Sequence, residues 1–136
     1  MSIDTYDTLA IILPGVSGPY SLDYIERLAR EVAGTSGAAV MRKSAPPDGE
    51  YITLSKGDVE LRLYYSDDPW VAGECEDIAD HSGGRCRGST RWFSLHGTDL
   101  DLVLVDDHEL ICERLRTTGD FVFYSPQNGL LFEDEA

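Results

Sequence analysis

The sequence is poor in basic residues. Lysine and arginine together number 11 against 25 aspartates and glutamates, which gives a formal net charge of −14. A surface of this sign repels nucleic-acid phosphates and membrane surfaces, but it accelerates encounter with basic proteins. We therefore expect a basic protein as the partner, and neither nucleic acid nor a membrane. The alternative is that the acidity serves only solubility.

Long hydrophobic runs are also missing. No apolar stretch approaches the roughly 20 residues that a membrane-spanning helix needs. The first apolar run, from Leu9 to Leu13, is too short for the core of a signal peptide and follows no basic stretch. These absences favour a cytoplasmic location.

Cysteine is scarce and odd in number. The three residues are Cys75, Cys86 and Cys112, and a domain of this size folds without disulfide staples, so we expect reduced thiols. A bridge between Cys75 and Cys86 is sterically feasible if the turn at Gly83 and Gly84 folds back. The sequence does not decide whether these two pair.

Catalytic and metal-binding motifs do not occur at their usual spacings. The glycine-rich turn at residues 14–19 matches neither a dinucleotide fingerprint nor a phosphate-binding loop. His81 lies between Cys75 and Cys86, but there is no Cys-x-x-Cys or His-x-x-x-His pair, so we predict no metal and no cofactor. The carboxylates from Asp99 to Glu109 could serve acid–base chemistry or magnesium, although a solvated strand face and a helix N-terminus explain them too. A small hydrolase or metal-dependent enzyme is therefore the alternative to a binding protein.

The sequence does contain the means to fold. Apolar residues make up 42% of the chain, enough for one hydrophobic core, and we expect a single domain over residues 1–136. Periodicity and turn residues predict helices from Ser21 to Gly34, over 71–81 and from Asp106 to Gly119. They predict strands at 8–13, 38–41, 51–54, 59–65, 90–96, 100–105, 121–124 and 130–132, with a loop at 44–49. The predicted fold is α+β, a largely antiparallel sheet with two or three helices packed against it.

The densest charge lies between residues 67 and 80. Six acidic residues occur there with no basic one, and an aromatic residue lies among them. Charge steers the encounter of two proteins, while an aromatic anchor supplies affinity. We predict that the partner-binding residues are Asp67, Asp68, Trp70, Glu74, Glu76, Asp77 and Asp80. Trp70 could equally belong to the core, and the basic cluster Arg85, Arg87 and Arg91 could pair with this segment internally.

The acidic segment, the Arg-Trp strand at residues 91–92 and the closing hairpin at 121–129 together resemble a known class. The chain is similar to the small cytoplasmic immunity proteins of bacterial polymorphic toxin systems, of the contact-dependent inhibition or type VI secretion type. The resemblance is one of size, acidity and α+β texture over the whole chain, without a diagnostic motif. It implies a protein without catalytic activity that binds one cognate toxin domain, and many such toxins are nucleases with basic clefts.

Two further alternatives stay open. A regulatory adaptor would bind a protein that is not a toxin. A homodimer could form through an edge strand such as 130–132, because an unpaired strand edge can template pairing with a second chain.

Overall fold

A computed structural model describes residues 5–44 and 49–131 of the chain. The strands are β1 (Tyr6–Ile12), β2 (Ala39–Ser44), β3 (Glu50–Lys56), β4 (Val59–Ser66), β5 (Trp92–Gly97), β6 (Phe121–Ser125) and β7 (Gly129–Leu130). The helices are α1 (Leu22–Ser36), α2 (Pro69–Asp80) and α3 (Val105–Arg116). Most of the predicted 44–49 loop, and Phe132 of the last predicted strand, lie outside the described residues.

The strands form one sheet in the order β2-β3-β4-β5-β1-β6-β7, and every neighbouring pair is antiparallel. The predicted α+β fold with a largely antiparallel sheet is thereby confirmed. Tight hairpins join β3 to β4 and β6 to β7. Gly57 makes the first of these turns with a φ of 58°, a value that glycine adopts without steric penalty. None of the described helices is both long and apolar enough to cross a membrane.

Helices α1 and α3 cover one face of the sheet. The strands turn alternate apolar residues toward them, and Ile12, Leu63, Phe93 and Leu95 are almost completely buried in this larger core. The Ser21 hydroxyl accepts a hydrogen bond from the Tyr24 N–H and caps α1.

The predicted end of α1 at Gly34 is wrong. The helix continues through Gly34 to Ser36 and ends at Gly37, whose φ of 81° is left-handed and whose N–H donates to the carbonyl oxygen of Ala33. A helix tolerates an interior glycine when its neighbours pack well, and Val32 and Ala33 are both buried here.

Helix α2 covers part of the opposite face. Val71, Cys75 and Ile78 point from α2 into a second, smaller core, which they share with Ile11 of β1 and Trp92 of β5. The strand residues of this core come from β1, β5, β6 and β7. The neighbouring strand β4 turns polar and aromatic side chains to the same side, and these remain partly exposed. The sheet is therefore open beside α2.

The predicted strand at 100–105 is also wrong. Residues 98–104 form a loop with turns at 100–101 and 103–104, and α3 begins at Val105. The alternation of aspartate and leucine is typical of a half-buried strand, yet Leu100 and Asp101 are both exposed. The Asp99 side chain prevents a strand here. Its carboxylate accepts hydrogen bonds from the N–H groups of Val103 and Leu104, at 2.8 and 2.7 Å, and so holds the backbone in a turn.

Candidate partner-binding groove

A groove of about 680 Å³ opens between the exposed part of the sheet and α2. Its floor includes Asp7 of β1, Arg62 and Tyr64 of β4, and His96 of β5. Its wall is the N-terminal half of α2, with Asp68, Trp70 and Glu74. We call this feature the sheet groove.

Antiparallel pairing brings the floor residues together from distant parts of the sequence. His96 lies opposite Asp7 on one side and opposite Arg62 on the other, so the three side chains occupy neighbouring positions on one face. The Nδ1 atom of His96 is 3.4 Å from Oδ1 of Asp7. The ring of Tyr64 lies 6.0 Å from that of His96 and stacks at 5.2 Å on Tyr51 of β3. The floor is therefore polar and aromatic.

Trp70 stands at the rim of the sheet groove. Its side chain is 56% exposed, and it meets the buried Trp92 in an edge-to-face contact with the ring centroids 5.7 Å apart. Pro69 opens the helix immediately before it, and proline at this position fixes the backbone where the helix starts. Of the two interpretations that the sequence left open, the structure excludes Trp70 as a core residue. An aromatic face is therefore available at the rim.

The charge of the sheet groove is negative. Asp7, Asp68 and Glu74 contribute three carboxylates, whereas Arg62 contributes one guanidinium. Neither Asp68 nor Glu74 forms an ion pair within the described part of the chain. Unpaired carboxylates beside exposed aromatic faces attract a cationic side chain through both Coulomb and cation–π interactions.

The structure places the seven predicted binding residues at different parts of the surface around α2. Asp68, Trp70 and Glu74 line the sheet groove. Asp77 lies in a smaller depression that it shares with Glu74 and His81. Asp67 is exposed beside the start of α2 and accepts a long hydrogen bond of 3.5 Å from the Tyr65 hydroxyl.

Glu76 and Asp80 lie on another side of α2 and share one basic partner. Arg87 is 3.1 Å from Glu76 and 2.7 Å from Asp80, and the N–H of Gly88 donates to Glu76 at 2.9 Å. The basic cluster therefore pairs with the acidic segment through Arg87. Arg91 differs, since it donates to backbone carbonyl oxygens, including that of Val16 at 2.8 Å.

Sequence reasoning did not select Asp7, Arg62, Tyr64 or His96 as binding residues. In β4 the buried Leu61 and Leu63 alternate with the partly exposed Arg62 and Tyr64, and this alternation is the one signal in the sequence that places the latter two on the solvated face. Their convergence with Asp7 and His96 depends on the strand order, and no local pattern carries that information.

One form of the enzyme alternative requires Cys75, Cys86 and His81 to meet in one site, and they do not. Cys75 and Cys86 are both buried and free, and the Cys86 thiol donates to the Cys75 carbonyl oxygen at 3.2 Å. Burial raises the pKa of Cys75 to about 12 and also raises that of Cys86. His81 is exposed, with Nδ1 2.7 Å from the carbonyl oxygen of Asp77 in its own helix. In the described ranges no three histidine, cysteine or acidic side chains group as metal ligands.

The carboxylates from Asp99 to Glu109 separate into buried and exposed groups. Asp101, Asp106 and Glu109 are exposed, whereas Asp99 is buried and accepts a 2.5 Å hydrogen bond from the Tyr6 hydroxyl. Burial alone would raise the pKa of Asp99, but the hydrogen bonds from Tyr6 and from backbone N–H groups lower it overall. This carboxylate is therefore engaged in holding its own loop.

Two further side chains that the enzyme alternative could use, Asp107 and His108, lie on α3. Asp107 is buried and makes no hydrogen bond in the described chain, and its carboxylate lies 3.5 Å from Nζ of Lys56. Burial lowers the pKa of His108 to about 4. The His108 ring stacks on Tyr6, with Nε2 3.2 Å from the Thr8 hydroxyl. Its neutral form is therefore the one packed against the core.

Comparison with known protein families, with curated proteins and with solved structures finds no match for this chain. What the fold and the groove define is an α+β protein with an open, acidic and aromatic groove on its sheet.

Proposed function

We propose that this protein binds a basic partner protein through the sheet groove and the adjoining side of α2, and that it has no catalytic activity of its own. The observation that carries the proposal is the exposed Trp70 beside the unpaired carboxylates of Asp68 and Glu74. An exposed indole next to acids that have no ion-pair partner in the described chain suits a surface that receives lysine or arginine.

The proposed contact follows from the chemistry of the groove. A lysine or arginine side chain of the partner would lie between Trp70 and the floor, with its stem on the aromatic rings. Its charged end would meet Asp68 and Glu74. The surplus of negative charge on the whole chain would accelerate the encounter, so the association rate should fall as salt is added.

We further propose that the partner is a toxin domain and that the protein is its cytoplasmic immunity protein. The support is the resemblance in size, acidity and α+β texture, together with the acidic groove. A nuclease toxin binds phosphates in a basic cleft, and the carboxylates of the sheet groove and α2 would occupy that cleft in place of the substrate. The adaptor alternative requires the same groove but a partner that is harmless to the cell.

The test is capture of partners from native cells by three tagged proteins. The first is the wild type. The second, Glu74→Lys with Asp77→Lys, reverses two exposed acids on one side of α2 that form no ion pair in the described chain. The third, Asp58→Lys with Glu113→Lys, makes the same change of charge at exposed positions away from the groove. Glu76 is left unchanged because it pairs with Arg87.

We expect one stoichiometric partner with the wild type and the control, and much less of it with the groove variant. Expression of that partner alone should arrest growth, and co-expression of the wild type should restore it. A captured partner that is harmless would favour the adaptor. Equal capture by all three proteins would contradict the groove as the binding site.

A further inference from the structure

Three large apolar side chains project into solvent from the loop before α3. Leu100 is 87% exposed, Leu102 53% and Val103 41%. The other large apolar side chains that are exposed within the described ranges are Met41 and Trp70, each from a different element. We call residues 100–103 the leucine loop.

The leucine loop is held in a defined conformation. Its two ends are tied to the buried Asp99, whose carboxylate accepts the N–H groups of Val103 and Leu104 and whose carbonyl oxygen accepts that of Leu102. Asp99 is itself fixed by the Tyr6 hydroxyl, and its N–H donates to Thr5 at 2.8 Å. The loop is therefore anchored to the start of β1 as well as to α3.

Leu102 has a conformation that leucine disfavours. Its φ of 57° is left-handed, and no other residue except glycine has a positive φ in the described ranges. This conformation strains residues with a β-carbon, and glycine or asparagine would relieve the strain. Leu102 is more than half exposed and belongs to neither core, so neither backbone geometry nor core burial explains a leucine at this position.

We propose that the leucine loop is a docking element that inserts into an apolar pocket, rimmed by lysine or arginine, on a partner protein. Apolar anchors that enter a pocket while polar residues surround them are the usual centres of protein interfaces. The residues around the loop supply the polar rim, since Asp101, Asp106 and Glu109 are exposed and form no ion pair in the described part of the chain.

The charge of the chain selects a protein partner with a basic rim over the two other candidates. A second copy of this chain would bring another charge of −14 to the contact, and an acidic membrane surface would repel the same carboxylates. The inference goes beyond the sheet groove, because it depends on different residues and on backbone geometry.

The test places a photo-crosslinking amino acid at position 100, with the same residue at position 41 as the control and at position 70 as a probe of the groove. All three side chains are more than half exposed. Irradiation of cells that contain the full-length protein should link position 100 to one protein. The linked peptide should line an apolar pocket bordered by lysine or arginine, and position 41 should give no such product.

Several outcomes would overturn the inference. They are crosslinks from position 100 to a second copy of the chain, to lipid alone, to a partner surface without an apolar pocket, or no product above that of position 41. If position 70 links to a basic protein while position 100 gives one of these outcomes, the leucine loop proposal fails and the proposed function stands. If position 100 links to an apolar pocket with a basic rim while position 70 links to no basic protein, the leucine loop proposal stands and the sheet groove proposal fails.

A second measurement distinguishes docking from a structural role. Leu102→Gly removes the side chain and relieves the left-handed backbone, so we expect the thermal midpoint to stay the same or rise. Complex formation with the protein crosslinked at position 100 should weaken by about 10-fold or more. Unchanged affinity would overturn the inference.

Discussion

Trp70 is more than half exposed, yet its ring is held in place by an edge-to-face contact with Trp92. When a partner covers such a side chain, apolar surface is buried at little cost in side-chain entropy, because the ring is already ordered. Trp70→Ala should weaken partner binding by about 30-fold, the effect of losing roughly 2 kcal/mol at an interface hot spot. The thermal midpoint should change little. Titration calorimetry with the captured partner, together with thermal unfolding, measures both quantities, and unchanged affinity would show that Trp70 lies outside the interface.

His108 gives the fold a pH dependence of known sign. Its pKa is about 4 in the folded protein because most of the ring is shielded from solvent, whereas an unfolded histidine titrates near pH 6.5. Between these values only the unfolded chain binds the proton, so stability falls as pH decreases from about 6.5 to 4. The loss should be about 2 kcal/mol between pH 7 and pH 5.

The His108 prediction is tested with His108→Gln, which keeps a polar side chain but does not titrate. Urea unfolding of this variant should show a smaller difference in the free energy of unfolding between pH 7 and pH 5 than the wild type. Asp99 does not interfere, because its lowered pKa affects stability only below about pH 4. An equal pH dependence in both proteins would show that His108 is not buried in its neutral form.

At the scale of elements, hydrophobic periodicity was sufficient for most of the fold. The alternation in β4 identified its buried and solvated faces, and the apolar spacing of α2 identified the side that packs on the sheet. These features were predictable because they depend on residues close in sequence. The acidic content of the outer side of α2 was visible for the same reason.

The two wrong predictions, the strand at 100–105 and the helix end at Gly34, also concern whole elements and have a common cause. Leu100 and Leu102 alternate with acids but face solvent, and Gly34 lies inside a helix although glycine usually marks an end. In both places a contact distant in sequence decides the structure. Asp99 is held by Tyr6 of β1, and α1 is held by its packing on the sheet. Local patterns cannot reveal such contacts.

Asp99 determines where β5 ends and α3 begins. Asp99→Ala removes the acceptor for Tyr6 and for two backbone N–H groups, and it should lower the free energy of unfolding by about 3 kcal/mol. Asp101→Ala is the matched control, because Asp101 is an exposed neighbour in the same loop and its loss should change stability by less than about 0.5 kcal/mol. Denaturant unfolding monitored by circular dichroism compares them. Equal stability of the two variants would contradict the role of Asp99.

At the scale of the whole molecule, the distribution of ion pairs matters more than the net charge. Arg42 alone contacts Asp23, Glu26 and Glu50 and joins α1 to β2 and β3. Arg87 likewise contacts two acids, Glu76 and Asp80, on one side of α2. The basic residues thus compensate acids away from the wall of the sheet groove, where Asp68 and Glu74 stay unpaired in the described chain. The sequence revealed the excess of acid and its density at residues 67–80, but not which of these acids pair with basic residues.

The proposed binding through the sheet groove depends on this distribution of charge, and the association rate with the captured partner tests it most directly. Stopped-flow kinetics at low and at raised salt should show fast, salt-sensitive association for the wild type and for the Asp58→Lys, Glu113→Lys control. The Glu74→Lys, Asp77→Lys variant should associate at least about 10-fold more slowly at low salt and with a weaker salt dependence. If both variants associate at the same rate, the acidity acts only through net charge and the sheet groove is not the binding site.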